Sequence, residues 1–431
     1  MNSATTHSAP SARRCAVELL TEILDYKRPF DEAVVRHAGM QALSDRDRNF
    51  VRLMLITALR RLGQINALLA GMLEKPLSGR TNDVMHALRL GAAQLLWLKT
   101  PPHAAVHAMV DTVAEIGHPN MKGLVNVVLK RVASEGEGII AGQDPARLSV
   151  PDWIYDTWRK AYGEQNMRLM ATPRDNPVPL DLTVKNNPEK WAEILGGTVL
   201  ATGSVRLEQT GRVEQLAGYD EGEWWVQDAA ASLPVKLLGN VQGKTVYDLC
   251  AAPGGKTAQL AAKGATVTAV DKSKRRLEIL QSNMERLKLA VEMVESDILR
   301  WRPSVIPDIV LLDAPCSATG TLRRHPEVVW HRSRDDIAEL ADLQRKMLNR
   351  ASNLIKKGGR ILYCVCSLQP EEGEEQIEKF LSVRAEFSLV PASGVPAEFI
   401  NRQGALRTTP AHLQAQGGMD GFYAAVLEKN A

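Results

Sequence analysis

Cysteine is scarce in this chain, with five residues in 431: Cys15, Cys250, Cys316, Cys364 and Cys366. An odd, sparse set in a long sequence is no disulfide framework and points to a reducing, cytoplasmic compartment. No run of eighteen or more apolar residues occurs, so no membrane partner is expected. The opening MNSATTHSAP has no apolar core and does not read as a secretory leader; a short disordered tail is expected there. Charge of one sign is not in excess: 53 Lys+Arg stand against 50 Asp+Glu, a net +3, too mild to imply a polyanionic partner by itself. Several ligand signatures are missing as well. No G-x-G-x-x-G follows the first candidate strand, which argues against a nicotinamide-dependent oxidoreductase. Gly255-Lys256-Thr257 ends like a phosphate-cradling loop, but position 250, where that loop needs glycine, is Cys250; Gly243-Lys244-Thr245 fails in the same way at Leu238. The cysteines show no C-x₂-C pair and no adjacent histidine, so no metal site is expected.

What is present is a globular composition, 45% apolar and 24% charged, in a chain long enough for two or three domains. Residues 12–140 read as helical throughout. From Asp47 to Met72 apolar residues recur at helical spacing (Val51, Met54, Leu55, Ala58, Leu62, Ile65, Leu69), and further helical stretches cover Val84–Leu98, a segment from His103, and Leu124–Val132. Residues 1–140 hold 17 basic against 13 acidic residues, while the remainder is close to neutral. Turn formers at 136–150 read as a linker. Residues 151–235 are mixed, with a helix over Asp152–Ala161, a strand over Leu180–Val184 and a helix over Pro188–Leu195, and carry no recognisable chemistry. From Lys236 short apolar strands alternate with helices, which predicts a parallel sheet covered by helices. The expected organisation is therefore an all-α bundle at 1–140, a small α+β connector at 145–235 and an α/β domain at 236–431.

Open sheets of this type bind ligands beyond the carboxyl ends of their strands. The first strand, Thr245–Cys250, ends in Ala251-Ala252-Pro253-Gly254-Gly255-Lys256, a turn whose glycines let backbone approach a ligand and open a helix N-terminus towards it. Asp271 ends the second strand and suits two ribose hydroxyls; Asp297 follows the third and suits an adenine amino group. Acids at successive strand ends beside one glycine turn describe a nucleoside-type cofactor pocket. The fourth strand delivers Asp313 and Cys316, the fifth Cys364 and Cys366. Side chains alternate along a strand, so Cys364 and Cys366 share a face, with Cys364 reading as a small core residue.

Two thiols beside a nucleoside cofactor suit one chemistry. A thiolate adds to C6 of a pyrimidine, C5 becomes nucleophilic enough to take a methyl group from a sulfonium donor, and elimination expels the sulfur. The thiolate needs a nearby positive charge, for which Lys256 and the sulfonium are candidates. Asp313 suits the N3/N4 edge of cytosine. Basic residues flank this edge, Arg323, Arg324 and His325 after the Cys316 loop and Lys272, Lys274 and Arg275 after the second strand, as candidates for phosphates.

At these residues the sequence resembles the Sun/NSUN family of RNA cytosine-C5 methyltransferases. The matching segments are DLCAAPGGKT at 248–257, Asp271 with Arg276-Leu277, Asp297, DAPCSATG at 313–320 and CSLQPEEG at 366–373, and GMDGFYAAVL at 418–427 resembles the last strand of its catalytic domain. DRDRNFVRLMLITALRR at 45–61, LRLGAAQLLWLKTPPHAAV at 88–106 and GLVNVVLKR at 123–131 resemble the NusB-type RNA-binding domain. The resemblance implies a Rossmann-like class I methyltransferase domain and S-adenosylmethionine as donor. It implies a cofactor pocket formed by Cys250, Ala251, Ala252, Pro253, Gly254, Gly255, Lys256, Asp271, Asp297 and Asp313. It gives Cys366 the attack on the base and Cys316 the release of product; DNA cytosine methyltransferases use the Pro-Cys cysteine for attack instead. The pairing of the two domains implies small-subunit (16S) ribosomal RNA, rather than DNA, as the substrate; a monomer is the working expectation, which no sequence feature decides. One departure is Val365, where the family more often has Thr.

Overall fold

The computed structural model describes residues 11–173, 177–208 and 211–430. The described chain falls into two compact units: residues up to 173 together with the detached segment His325–His331, and the residues from 177 onward without that segment.

The first unit is helical. Ser11 and Ser44 start helices Ala12–Leu24 and Asp45–Arg60 by accepting hydrogen bonds from the amides of Arg14 and Asp47, filling donors that a helix N-terminus leaves unpaired. The helices Ala12–Leu24, Asp45–Arg60, Asn82–Leu96, Pro102–Glu115 and Lys122–Ala141 bury one apolar core that includes Leu19, Leu20, Met54, Leu88, Met109 and Leu129. Two local expectations change. The apolar stretch from Val51 to Leu69 is two helices, Asp45–Arg60 and Leu62–Ala70, bent by 72° at Arg61, which leaves helical geometry (φ −104°, ψ 11°). Just past the bend, Gly63 packs so closely against the Leu148 carbonyl that a Cβ would sit 1.8 Å from that oxygen. The expected linker at 136–150 begins as helix, because Lys122–Ala141 runs through Gly136. That glycine serves packing rather than a turn: a Cβ there would meet Leu96 at 2.9 Å. Asp144 then caps the short helix Pro145–Leu148 and pairs with Arg168 at 2.7 Å. This pair ties Glu164–Ala171 to the helical unit, so the stretch expected as one connector is divided: its helices up to Ala171 go with the first unit, and its strands and helix Pro188–Leu195 with the second.

The second unit contains two sheets. Strands β1 (Leu180–Val184), β2 (Thr198–Val199), β3 (Val205–Leu207) and β4 (Trp224–Val226) form a small antiparallel sheet in the order β2-β3-β1-β4. Helix Pro188–Leu195 covers it through Trp191, against Leu182, Val205 and Trp224. Arg206 and Asp181, each 2% exposed, pair at 2.6 Å inside it, and Asp181 also accepts from the Ala229 amide. The large sheet comprises β5 (Thr245–Leu249), β6 (Thr266–Asp271), β7 (Glu292–Glu295), β8 (Ile309–Asp313), β9 (Arg360–Val365), β10 (Phe387–Val390), β11 (Leu406–Thr408) and β12 (Phe422–Lys429). Its order is β10-β12-β9-β8-β5-β6-β7, with β11 paired to β12. The five strands from β7 to β9 are parallel, as alternation with helices requires, but β12 returns antiparallel to β9 and pairs antiparallel with β10 and β11. The sheet is therefore mixed rather than purely parallel, with a Rossmann-like parallel core extended by antiparallel strands. Alternation sorts its side chains into two cores: Val246, Leu311, Leu362 and Cys364 on one face, Tyr247, Leu249, Leu312 and Tyr363 on the other. Among the described residues no single helix is long and apolar enough to cross a membrane.

Candidate active site

Register brings the strand ends together. Leu249 pairs with Val270 and Leu312, Asp271 with Glu295, and Asp313 with Cys364. The turn after β5 therefore lies between Asp271 on one side and Asp313 on the other. Cys250 takes a left-handed conformation (φ 62°) and Gly254 an even wider one (φ 106°), after which helix Gly255–Ala262 begins. A Cβ on Gly254 would also meet Leu280 at 3.0 Å, so only glycine lets the backbone follow this path. Burial, with the charges of Asp313 and Asp271 behind it, pushes the Cys250 thiol up to about 12, which marks it as a packing residue of the turn.

Asp271 is buried. It accepts from the Ala252 amide at 3.3 Å and the Ser273 amide at 3.0 Å and pairs with Arg276 at 3.1 Å, while Arg276 also reaches the Ala252 carbonyl. It therefore fixes the turn as well as standing at its rim. Asp297 is exposed beyond β7 and accepts from the Leu299 amide at 3.0 Å. Asp248, one residue inside β5, is fully buried; Thr257 donates to one oxygen at 2.6 Å and the other has no partner among the described residues. A cradle without Cβ at Gly254, an orphaned carboxylate oxygen behind it and acids at neighbouring strand ends fit a nucleoside cofactor.

Asp313 pairs with Lys256 at 2.8 Å, and its other oxygen accepts from the Cys364 thiol at 3.5 Å. Burial opposes the charge of Lys256, but Asp313 outweighs it and holds the ammonium above its ordinary pKa; Cys364 and Cys366 act in the same direction. The Lys256 ammonium also lies 4.7 Å from the centre of the Phe422 ring. Cys364 is completely buried, as the sequence reading expects, and burial pushes its thiol well up.

The two thiols singled out by the sequence meet. Cys316 Sγ and Cys366 Sγ are 3.5 Å apart, both partly accessible. The loops that carry them are joined by backbone: the Gly320 amide donates to the Cys366 carbonyl at 3.0 Å and the Ala314 amide to the Cys364 carbonyl at 3.0 Å. The sequence reading missed what lies beneath. Glu372 is completely buried; it accepts from the Ser317 amide at 2.8 Å, from the Ser317 and Ser367 hydroxyls, and from Gln344 at 2.9 Å. Glu371-Glu372 after Pro370 looks like an ordinary solvated turn, and nothing local signals burial.

The expected phosphate contacts divide. Lys272, Lys274 and Arg275 are exposed. The Arg323 side chain is instead only 7% exposed and committed to Asp228 at 2.7 Å, with Asp420 at 3.6 Å, while Arg324 is exposed and also pairs with Asp420. These two arginines balance a buried pair of acids, whose mutual repulsion, added to desolvation, raises the Asp228 carboxyl.

Comparisons with known proteins identify the relatives of this chain. A family described as 16S rRNA methyltransferase RsmB/F matches residues 235–428, and the NusB family matches residues 10–134. The ribosomal RNA small subunit methyltransferase B of Vibrio cholerae is 32% identical over 97% of this chain and 98% of its own. That of Klebsiella pneumoniae is 35% identical over 83% of this chain and 86% of its own. The crystal structure of PH0851 superposes with a TM-score of 0.77 at 24% identity, over 98% of this chain and 99% of that one, and shows the same fold. The chain thus belongs to the S-adenosylmethionine-dependent ribosomal RNA small subunit methyltransferase B family, with a NusB domain ahead of the methyltransferase domain.

Proposed function

We propose that this chain methylates C5 of a cytosine in 16S ribosomal RNA, with Cys366 attacking the base and Cys316 assisting release of the product. The observation that carries this reading is the pair of thiols 3.5 Å apart at the strand edge that also bears the glycine turn. A methyltransferase acting on nitrogen or oxygen has no need of two apposed thiols, whereas C5 of cytosine is too poor a nucleophile to react unaided. The Cys366 thiolate forms a bond to C6, and C5 gains the electron density of an enamine. When bound, S-adenosylmethionine would supply the electrophilic methyl group that C5 takes up, its sulfonium leaving as a neutral thioether. The C5 proton then passes to solvent water, which restores the C5–C6 double bond and breaks the S–C6 bond, returning Cys366 as thiolate. The Cys250–Lys256 turn, Asp271 and Asp297 hold the donor in this reading, and Asp313 stands between donor and base. Lys256 brings a positive charge to this edge of the sheet, close enough to interact with the Cys366 sulfur. The base must leave its stack to reach the thiols, and exposed Lys272, Lys274 and Arg275 suit the phosphates flanking it.

Bisulfite mapping of ribosomal and transfer RNA, treated with the enzyme or left untreated, tests the substrate. A new protected cytosine in 16S RNA is expected, and protection confined to transfer RNA overturns the assignment. Cys366→Ala is expected to abolish transfer, and Cys316→Ala to accumulate a protein–RNA adduct that survives denaturing electrophoresis. Full activity of Cys366→Ala sinks the assignment of roles.

A further inference from the structure

The reaction proposed above gives two chemically identical thiols, 3.5 Å apart, different tasks. What distinguishes them has to come from their surroundings, and those surroundings are unequal. Cys366 interacts with the cations of Lys256 and Arg324. Cys316 sits in a loop held on both sides by the Glu372 system. Gln344 donates to the Pro315 carbonyl at 2.9 Å and to Glu372 at 2.9 Å, and Ser317 gives Glu372 both its amide and its hydroxyl. Tyr363 donates to the Glu372 carbonyl at 2.7 Å, which fixes the backbone of the same residue. Glu372 also accepts from the Ser367 hydroxyl, one residue past Cys366, and Ser367 receives the Gln369 amide at 2.9 Å. Every group that touches the carboxylate is therefore a donor, and the donors come from both cysteine loops.

We propose that Glu372 is a positioning residue: it pins the loops of Cys316 and Cys366 together and lays a negative charge on the Cys316 side of the pair, so that the two thiols are set to different tasks. The inference rests on the methyl-transfer reading for what those tasks are, but not for the asymmetry itself. The titratable groups that interact with Cys316 are Cys366, Glu372 and Tyr363, and the Arg332 guanidinium braces the next residue by donating to the Ser317 carbonyl at 3.1 Å. Their combined effect holds the Cys316 thiol well above its ordinary range: the hydrogen bond with Cys366 acts most, then burial, then the charges of Cys366 and Glu372. A thiol that keeps its proton does not compete for C6, which leaves attack to Cys366, and it can hydrogen-bond the Cys366 sulfur 3.5 Å away as that sulfur departs from the base.

The test compares full-length Cys366→Ala with Cys366→Ala/Glu372→Gln. The alkylation rate of Cys316 by iodoacetamide is followed by peptide mass spectrometry across the pH range of thiol ionisation, without RNA or donor. Glu372→Gln is expected to move the midpoint to lower pH and to raise the rate below it by about tenfold, the effect of removing one nearby like charge. An unmoved midpoint in a folded variant overturns the proposal. Should Glu372→Gln fail to fold, Glu372→Asp in the otherwise unaltered enzyme decides. It keeps the charge but shortens its reach, so kcat is expected to fall about tenfold with KM for RNA unchanged, and an unchanged kcat overturns the positioning role. Because alkylation needs no methyl transfer, its outcome stands apart from that of the Cys366→Ala activity test.

Discussion

At the scale of single residues, the site depends on charges placed where solvent does not screen them. Asp248 is the clearest case. Burial, only partly offset by the Thr257 hydroxyl, raises its carboxyl from an ordinary 3.8 to about 7. An acid whose folded pKa is raised keeps its proton in the folded state after the unfolded chain has lost it. Stability is therefore full below the unfolded value and declines as pH rises from about 4 to about 7. Asp248→Asn preserves an acceptor for Thr257 and removes the ionisation. It is expected to lack that slope and, above pH 7, to exceed the parent by up to about 4 kcal/mol in urea unfolding; the same slope in both proteins defeats the argument. Residues of this kind divide sharply in how visible they are beforehand. Cys316, Cys366, Asp271 and Asp313 can be found because each ends a strand next to an unusual turn. Glu372 cannot, since a buried carboxylate and a solvated one are written with the same letter.

At the scale of elements, loops rather than strands set the spacing of the thiols. Gly320 illustrates this. A Cβ there would lie 2.0 Å from the Gly421 carbonyl oxygen and 2.9 Å from that of Cys366, and both contacts are backbone that cannot swing away. Gly320→Ala must push the Cys316 loop off Gly421, the residue before β12, and off Cys366. It is expected to cost about 1–3 kcal/mol of stability and to lower methyl transfer at temperatures where the protein stays folded, measured by thermal melts beside activity; an unaltered rate and melt refute the spacing argument. Strands and most helices are legible because apolar periodicity is local: Leu180–Val184 and Pro188–Leu195 agree residue for residue with the sequence reading. The bend at Arg61 is not legible, since the period continues through it and the segment packed beside it, the Leu148 carbonyl against Gly63, is 85 residues away in the chain. Gly136 misleads for the same reason. A glycine that ends a helix and one that admits a neighbouring leucine look alike in one dimension.

At the scale of the whole molecule, chain order and spatial grouping part company. His325–His331 follows the Cys316 loop in sequence yet belongs to the helical unit, where the Glu327 carboxylate accepts from the Phe30 amide at 3.1 Å. Glu327→Ala leaves that buried amide without an acceptor, at a cost of about 1–3 kcal/mol. Amide exchange is expected to speed up over Phe30–Arg36 while β8 and β9 keep their protection; unchanged exchange at Phe30 rejects the coupling. The sequence by itself determined the classes of structure, helical then α/β, the glycine turn, the acids at the strand ends and the pairing of two cysteines with a nucleoside-type pocket. Each of these is recorded in neighbouring residues, through periodicity, turn chemistry or strand alternation. Only the tertiary structure decided that Arg323 is spent on Asp228, that Glu372 binds both cysteine loops, that β12 runs antiparallel and that His325–His331 joins the helices. Those outcomes depend on which groups lose water together, and desolvation is settled by neighbours in space that sequence distance does not reveal.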